Sequence, residues 1–152
     1  MDTMSDIVWA IDPRKDHLSD LTQRMRRFCS DVFTARHIAF EFHAPEAARD
    51  IELGADVRRQ VFLIFKESVH NIVRHSGCTR AAVTFSASRE QISLRITDNG
   101  TGFDTARPGE GHGLSSMRKR TQELGGTLHI VSKDAEGTVV TLLVAGSRRS
   151  VT

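Results

Sequence analysis

No apolar stretch in this sequence approaches the roughly 20 residues needed to cross a bilayer. The longest are Val61-Phe62-Leu63-Ile64-Phe65 and Thr141-Leu142-Leu143-Val144-Ala145. Nor does a secretory leader open the chain: Met1-Asp2-Thr3-Met4-Ser5-Asp6 lacks a basic start and a long apolar core. Cysteine is scarce. Cys29 and Cys78 have no Cys-x-x-Cys spacing, which excludes a disulfide framework and a zinc site. Both read as small, mostly buried thiols in a reducing compartment. No pair among the seven histidines stands at i,i+4 on a helix-like segment, so a structural metal is disfavoured. Charge of one sign is lacking too. The net charge is +2, and the one dense basic run, Arg24-Met25-Arg26-Arg27, reads as a solvated helix face, not a nucleic-acid patch.

What is present suits one soluble domain. The chain has 152 residues, 39% apolar and 26% charged, enough for a single core and too apolar for wholesale disorder. Residues 1–15 read as an entry segment, with Pro13 breaking the apolar Ile7–Ile11. A helix is expected from about Asp16 to Arg36, with Leu18, Leu21, Met25, Phe28 and Val32 on one stripe. His37–His43 alternates as a strand. A second helix is expected from Asp56, as N-cap, to His75, stopped by Gly77. Strands follow at Arg80–Ser86 and Gln91–Thr97, then a helix over Leu114–Leu124, then strands at Thr127–Ser132 and Thr138–Val144. Short turns between consecutive strands argue for antiparallel pairing. The expected fold is therefore a two-layer α/β sandwich, a mixed and mostly antiparallel sheet with three helices on one face. Residues 147–152 are expected to be a flexible tail.

Four clusters carry chemistry. At helical spacing, Glu67, Asn71 and Arg74 share one face, opposite Phe65, Val69 and Ile72. A carboxylate and a carboxamide one turn apart offer hard oxygens to a hydrated Mg²⁺, and Arg74 could approach a phosphate. Taken alone, this helix favours the simpler reading, a solvated polar face with a Glu–Arg contact. Asp98, ending a strand before Asn99-Gly100-Thr101-Gly102-Phe103, can accept a hydrogen bond from an exocyclic amine, the group that distinguishes adenine from guanine. Gly100 and Gly102 permit close approach to a flat base. An ordinary Asn-Gly turn is the alternative, but no strand follows soon enough for a hairpin. Gly111-His112-Gly113-Leu114 runs glycines straight into a helix start, whose free N–H groups suit a phosphate chain. Neither a Walker A nor a Rossmann pattern fits there. Thr138, after Gly137, could reach the base pocket through water.

In this order the clusters resemble the ATPase superfamily shared by gyrase, heat-shock chaperones, histidine kinases and mismatch-repair proteins, which has a Bergerat-type fold. Lys66-Glu67-Ser68-Val69-His70-Asn71-Ile72-Val73-Arg74-His75 looks like its N box. Asp98-Asn99-Gly100-Thr101-Gly102-Phe103 looks like its G1 box, and Gly111-His112-Gly113-Leu114 like its G2 box. The likeness spans about Asp6 to Val144. The opening Asp6–Ile11, Arg74-His75-Ser76 and Gly113–Arg120 resemble sensor histidine kinases that signal to nitrate-regulator-type response regulators.

That resemblance implies ATP and Mg²⁺ as ligands. It implies Asn71 as the Mg²⁺ ligand, with Glu67 in the metal shell or acting as a base. It implies Asp98 with Thr138 on the adenine, Gly100, Gly102 and Phe103 around the base, and Gly111, His112, Gly113 and Leu114 wrapping the triphosphate. Arg74 and His75 would lie near the phosphates. Residues 16–146 would be the ATP-binding catalytic domain, and 1–15 the lead-in from a dimerisation domain, absent here, that bears the phosphoacceptor histidine. His17 is a poor acceptor candidate, because Leu18 follows it where the family has an acid. The expected partners are that domain and a cognate response regulator, on the cytoplasmic side, with no nucleic acid and no direct membrane contact. Two other readings stay open. An anti-sigma factor with serine-kinase activity explains the length better, but Trp9, Arg74-His75-Ser76 and Met117–Arg120 worse. A nucleotide-free interaction scaffold would sit oddly with an intact Asp98, Gly102 and Asn71.

Overall fold

The computed structural model describes residues 18–44, 53–88, 90–101, 114–133 and 136–145. Helix α1 spans Leu18–Ala35, strand β1 Ala39–His43, and helix α2 Ala55–Asn71, which runs on into a π-helical turn, Ile72–Ser76. Strands β2 (Arg80–Ala87) and β3 (Gln91–Asp98) follow, then helix α3 (Leu114–Glu123) and strands β4 (Thr127–Lys133) and β5 (Gly137–Ala145).

The sheet order is β1-β2-β3-β5-β4. Only the β1–β2 pair is parallel, as it must be when α2 carries the chain back between them; the other three pairs are antiparallel. Alternation sends one set of side chains inward. Val83 stands opposite Ile96, which stands opposite Val140; Phe85, Leu94 and Leu142 form the next row. All six are buried. The helices cover this face, with Phe33, Phe62, Ile64, Phe65 and Met117 among the innermost side chains. The three-helix, five-strand sandwich expected from the sequence is the observed architecture. No helix among the described residues is long and apolar enough to cross a membrane.

Some local expectations need correction. The buried stripe of α1 is Leu18, Leu21, Met25, Cys29 and Phe33; Phe28 and Val32 flank it, half-buried. Helix α2 begins one residue before Asp56, and its N-cap is Gly54, in extended backbone with no side-chain cap. Asp56 lies in the first turn, where its charge favours the helix N-terminus. The same helix is not α-helical to His75. Bonds of the i→i+5 type take over after Asn71, until Gly77 ends the turn at φ 63°, in the left-handed region. Cys78 is half-buried, while Cys29 is fully buried.

Candidate functional site

A cleft opens where the ends of α2, β3, β5 and the start of α3 meet. Its polar lining is Ser68, Asn71, Asp98 and Thr138; Ile72, Ile96, Leu114, Met117 and Val140 supply the apolar walls. It holds about 390 Å³ of empty space, counting its open mouth. Apolar walls with a few convergent polar groups are the usual make-up of a small-molecule site.

Asp98 ends β3 directly opposite Thr138 on β5. Its Oδ1 accepts the Gly100 N–H at 2.7 Å, and the Thr138 N–H also donates to its carboxylate. Burial still dominates and pushes the Asp98 pKa up, against these two bonds. The Thr138 hydroxyl shares a 2.9 Å hydrogen bond with Ser132 on β4. Close approach here depends on Gly137. A Cβ at that position would run into the Asp98 carbonyl oxygen, and its φ of 95° is strained for any residue with a side chain.

Asn99 is not a cleft residue. Its Oδ1 accepts from the Thr79 and Arg80 N–H groups, each at 3.0 Å, and its Nδ2 donates to the Thr79 hydroxyl. It ties the exit of β3 to the entry of β2 and so fixes where Asp98 stops. The Asn-Gly turn is thus structural at Asn99, while Gly100 serves the Asp98 carboxylate.

On α2 the expected face divides. Asn71 is 8% exposed and lines the cleft beside Ile72, which the sequence reading had placed on the opposite side. Its Oδ1 is buried with no hydrogen-bond partner. Such an atom normally costs about 1–3 kcal/mol. Glu67 and Arg74 are not among the cleft-lining residues; their side chains are 30% and 47% exposed and pair at 3.2 Å. The neighbouring His70 packs edge-on against Phe28. Burial, then Arg74, holds its pKa down.

The cleft also uses residues not singled out in the sequence. Ser68, fully buried, donates to the Ile64 carbonyl at 2.9 Å and lies 3.4 Å from the Met117 sulfur, joining α2 to α3 beneath the pocket. At the far end of the same helix pair, Gln60 receives Arg120 at 2.8 Å and donates to Glu123 at 2.6 Å. Ser68, Ile96, Val140 and Met117 follow from periodicity. Each lies one turn or two strand positions from a residue already chosen: Asn71, Asp98, Thr138 and Leu114. Of the sequence-selected residues, Asn71, Asp98, Leu114 and Thr138 converge on the cleft. Gly100 abuts it through Asp98, while Glu67 and Arg74 pair with each other and are not part of its lining. Gly102, Phe103, Gly111, His112, Gly113 and the side chain of His75 lie outside the described residues, as does His17.

Residues 56–147, more than half the chain, match the family described as histidine kinase-, DNA gyrase B- and HSP90-like ATPases. The chain belongs to that family. It is therefore an ATP-binding domain, and the cleft built on Asp98 and Asn71 stands where the G1-like and N-box-like segments meet. The sensor protein VraS of Staphylococcus epidermidis is 37% identical over 91 residues, covering 59% of this chain and 26% of VraS. The sensor histidine kinase LiaS of Bacillus subtilis is 30% identical over 97 residues, covering 63% of this chain and 27% of LiaS. The chain thus spans about a quarter of the length of the curated relatives it matches. Among solved structures, the Acinetobacter baumannii histidine kinase AdeS superposes with a TM-score of 0.68 at 15% identity, over 87% of this chain and 66% of that one. The catalytic domain of the histidine kinase ThkA gives 0.67 at 19% identity, over 84% and 91%. At those identities the likeness concerns the fold.

Proposed function

We propose that the chain binds Mg-ATP in this cleft and delivers the γ-phosphoryl group to a histidine on a separate dimerisation domain, as the catalytic part of a two-component sensor kinase. The buried, unpartnered Asn71 Oδ1, in the same cleft as the Asp98 carboxylate, carries this reading. A carboxamide oxygen is a hard donor of the kind Mg²⁺ takes, so the residues present fit the ion. Asn71 would hold it. Bound there, the ion neutralises charge on the phosphate oxygens. Asp98 orients the base by accepting its amino group, while Gly100, Thr138 and the apolar walls enclose the ring. Gly102 and Phe103 would join them around the base, Gly111, His112, Gly113 and Leu114 would wrap the triphosphate, and Arg74 and His75 would offset its charge. The chain's part in transfer is positioning and charge compensation, without a covalent enzyme intermediate.

In this reading residues 16–146 are the catalytic domain, 1–15 lead in from the dimerisation domain, and 147–152 are a tail. The partner downstream is a response regulator of the nitrate-regulator type, met on the cytoplasmic side. Support comes from the similarity to VraS, a sensor protein, and LiaS, a sensor histidine kinase. The cleft, with Asn71 and Asp98 both in its lining, argues against an inert scaffold.

Incubation with γ-labelled ATP and a histidine-bearing dimerisation domain from a similar sensor kinase tests the proposal. Acid-labile, base-stable label on that domain, absent with Asn71→Ala, is expected. Acid-stable label on a serine would favour the anti-sigma reading instead.

A further inference from the structure

The Glu67–Arg74 pair ties the last turns of α2 to the π-turn that follows, and Asn71, between them in the chain, keeps its own Oδ1 without a hydrogen-bond partner. Arg74 sits in the π-turn, three residues beyond the cleft-lining Asn71, and both partners keep substantial contact with water. A half-exposed, single-contact ion pair of this kind holds only weakly. A phosphate chain is a stronger claimant. It is polyanionic, and a guanidinium can meet it with two parallel N–H bonds where the Glu67 contact supplies one.

We propose that Glu67 is a positioning residue that holds Arg74 while the cleft is empty and yields it to the phosphates of an arriving nucleotide. The inference rests on the ATP reading of the cleft. It gives Glu67 a role other than general base: its carboxylate is engaged with a guanidinium in the empty site. It also makes phosphate recognition a swap of partners. The gain from the Arg74–phosphate contact is reduced by the contact that is lost, so the pair tunes affinity for triphosphate without touching the base pocket.

Two ligands read this out by calorimetry on the full chain with Mg²⁺: ATP, which carries the phosphates, and adenosine, which does not. Glu67→Gln removes the competitor and is expected to tighten Mg-ATP two- to fivefold, the range set by a surface ion pair. Adenosine affinity should stay unchanged. Arg74→Ala should weaken Mg-ATP and leave adenosine alone. In the Arg74→Ala background, Glu67→Gln should give no gain. The proposal is overturned if Glu67→Gln brings no gain in the wild-type background. It is equally overturned if the gain persists without Arg74, which would reduce Glu67 to a repelling charge, or if adenosine affinity moves in parallel. Wild-type protein that binds adenosine but gains nothing from the phosphates also overturns it. Wild-type protein that binds neither ligand overturns the ATP reading itself.

Discussion

Asp98 and Thr138 face each other across the β3–β5 ladder, and the Thr138 backbone N–H donates to the Asp98 carboxylate. Together with the Gly100 N–H, it holds a half-buried acid in one orientation at the inner end of the cleft. Replacing Asp98 with Ala should therefore leave the fold intact and remove base recognition. Hydrogen bonds to a charged group are worth about 1.5–3 kcal/mol, so Mg-ATP affinity should fall about ten- to 150-fold. Calorimetry with a circular-dichroism control measures both; a loss below threefold would count against Asp98 as the base anchor.

The same residue sets a pH dependence. Burial raises its pKa in the folded state, so the folded chain binds that proton more tightly than the unfolded chain. The stability it contributes is present below the ordinary carboxylate pKa, about 3.9, and is lost as pH rises through the raised value. On acidification from neutrality, the thermal midpoint of the wild type should therefore rise relative to that of Asp98→Asn. Parallel midpoint curves for the two proteins would show that Asp98 titrates normally.

Gly137 is the hinge of that arrangement. Its φ of 95° and the Asp98 carbonyl leave no room for a methyl group. Gly137→Ala should cost at least about 1–3 kcal/mol in chemical denaturation and weaken nucleotide binding by displacing Thr138. An unchanged denaturation midpoint would contradict the close approach of β5 to β3.

The two thiols should differ. Burial pushes Cys29 up to about 12, against a smaller opposing effect from Arg26, whereas Cys78 is half-buried after the π-turn. Under native conditions an alkylating reagent should label Cys78 first and reach Cys29 only on unfolding. Mass spectrometry of time points would detect the reverse order.

The fold was legible because the helical and alternating patterns were strong. Val83, Phe85, Ile92, Leu94 and Ile96 all fall inward as period two predicts. What escaped was local backbone geometry. Nothing in Ile72–Ser76 announces a π-turn. Gly54 displaced Asp56 as cap because capping depends on backbone angles that side-chain chemistry only biases. In the site, Asp98, Thr138 and Asn71 could be found from motif order. The burial of Asn71 next to Ile72 could not, because a helical wheel ranks faces by polarity and treats an asparagine as solvent-facing. Periodicity sets Ser68 and Met117 one turn from Asn71 and Leu114, but their contact with each other exists only once α2 and α3 are brought together.

The central claim is that Asn71 offers its buried oxygen to an ion that accompanies ATP. Calorimetric titration of ATP into wild type and Asn71→Ala, each with Mg²⁺ and with excess chelator, tests it most directly. The account predicts that wild-type affinity falls at least tenfold when Mg²⁺ is removed, and that Asn71→Ala binds ATP weakly and equally with or without the ion. Wild-type binding indifferent to Mg²⁺, or a variant that keeps the full Mg²⁺ effect, would contradict it.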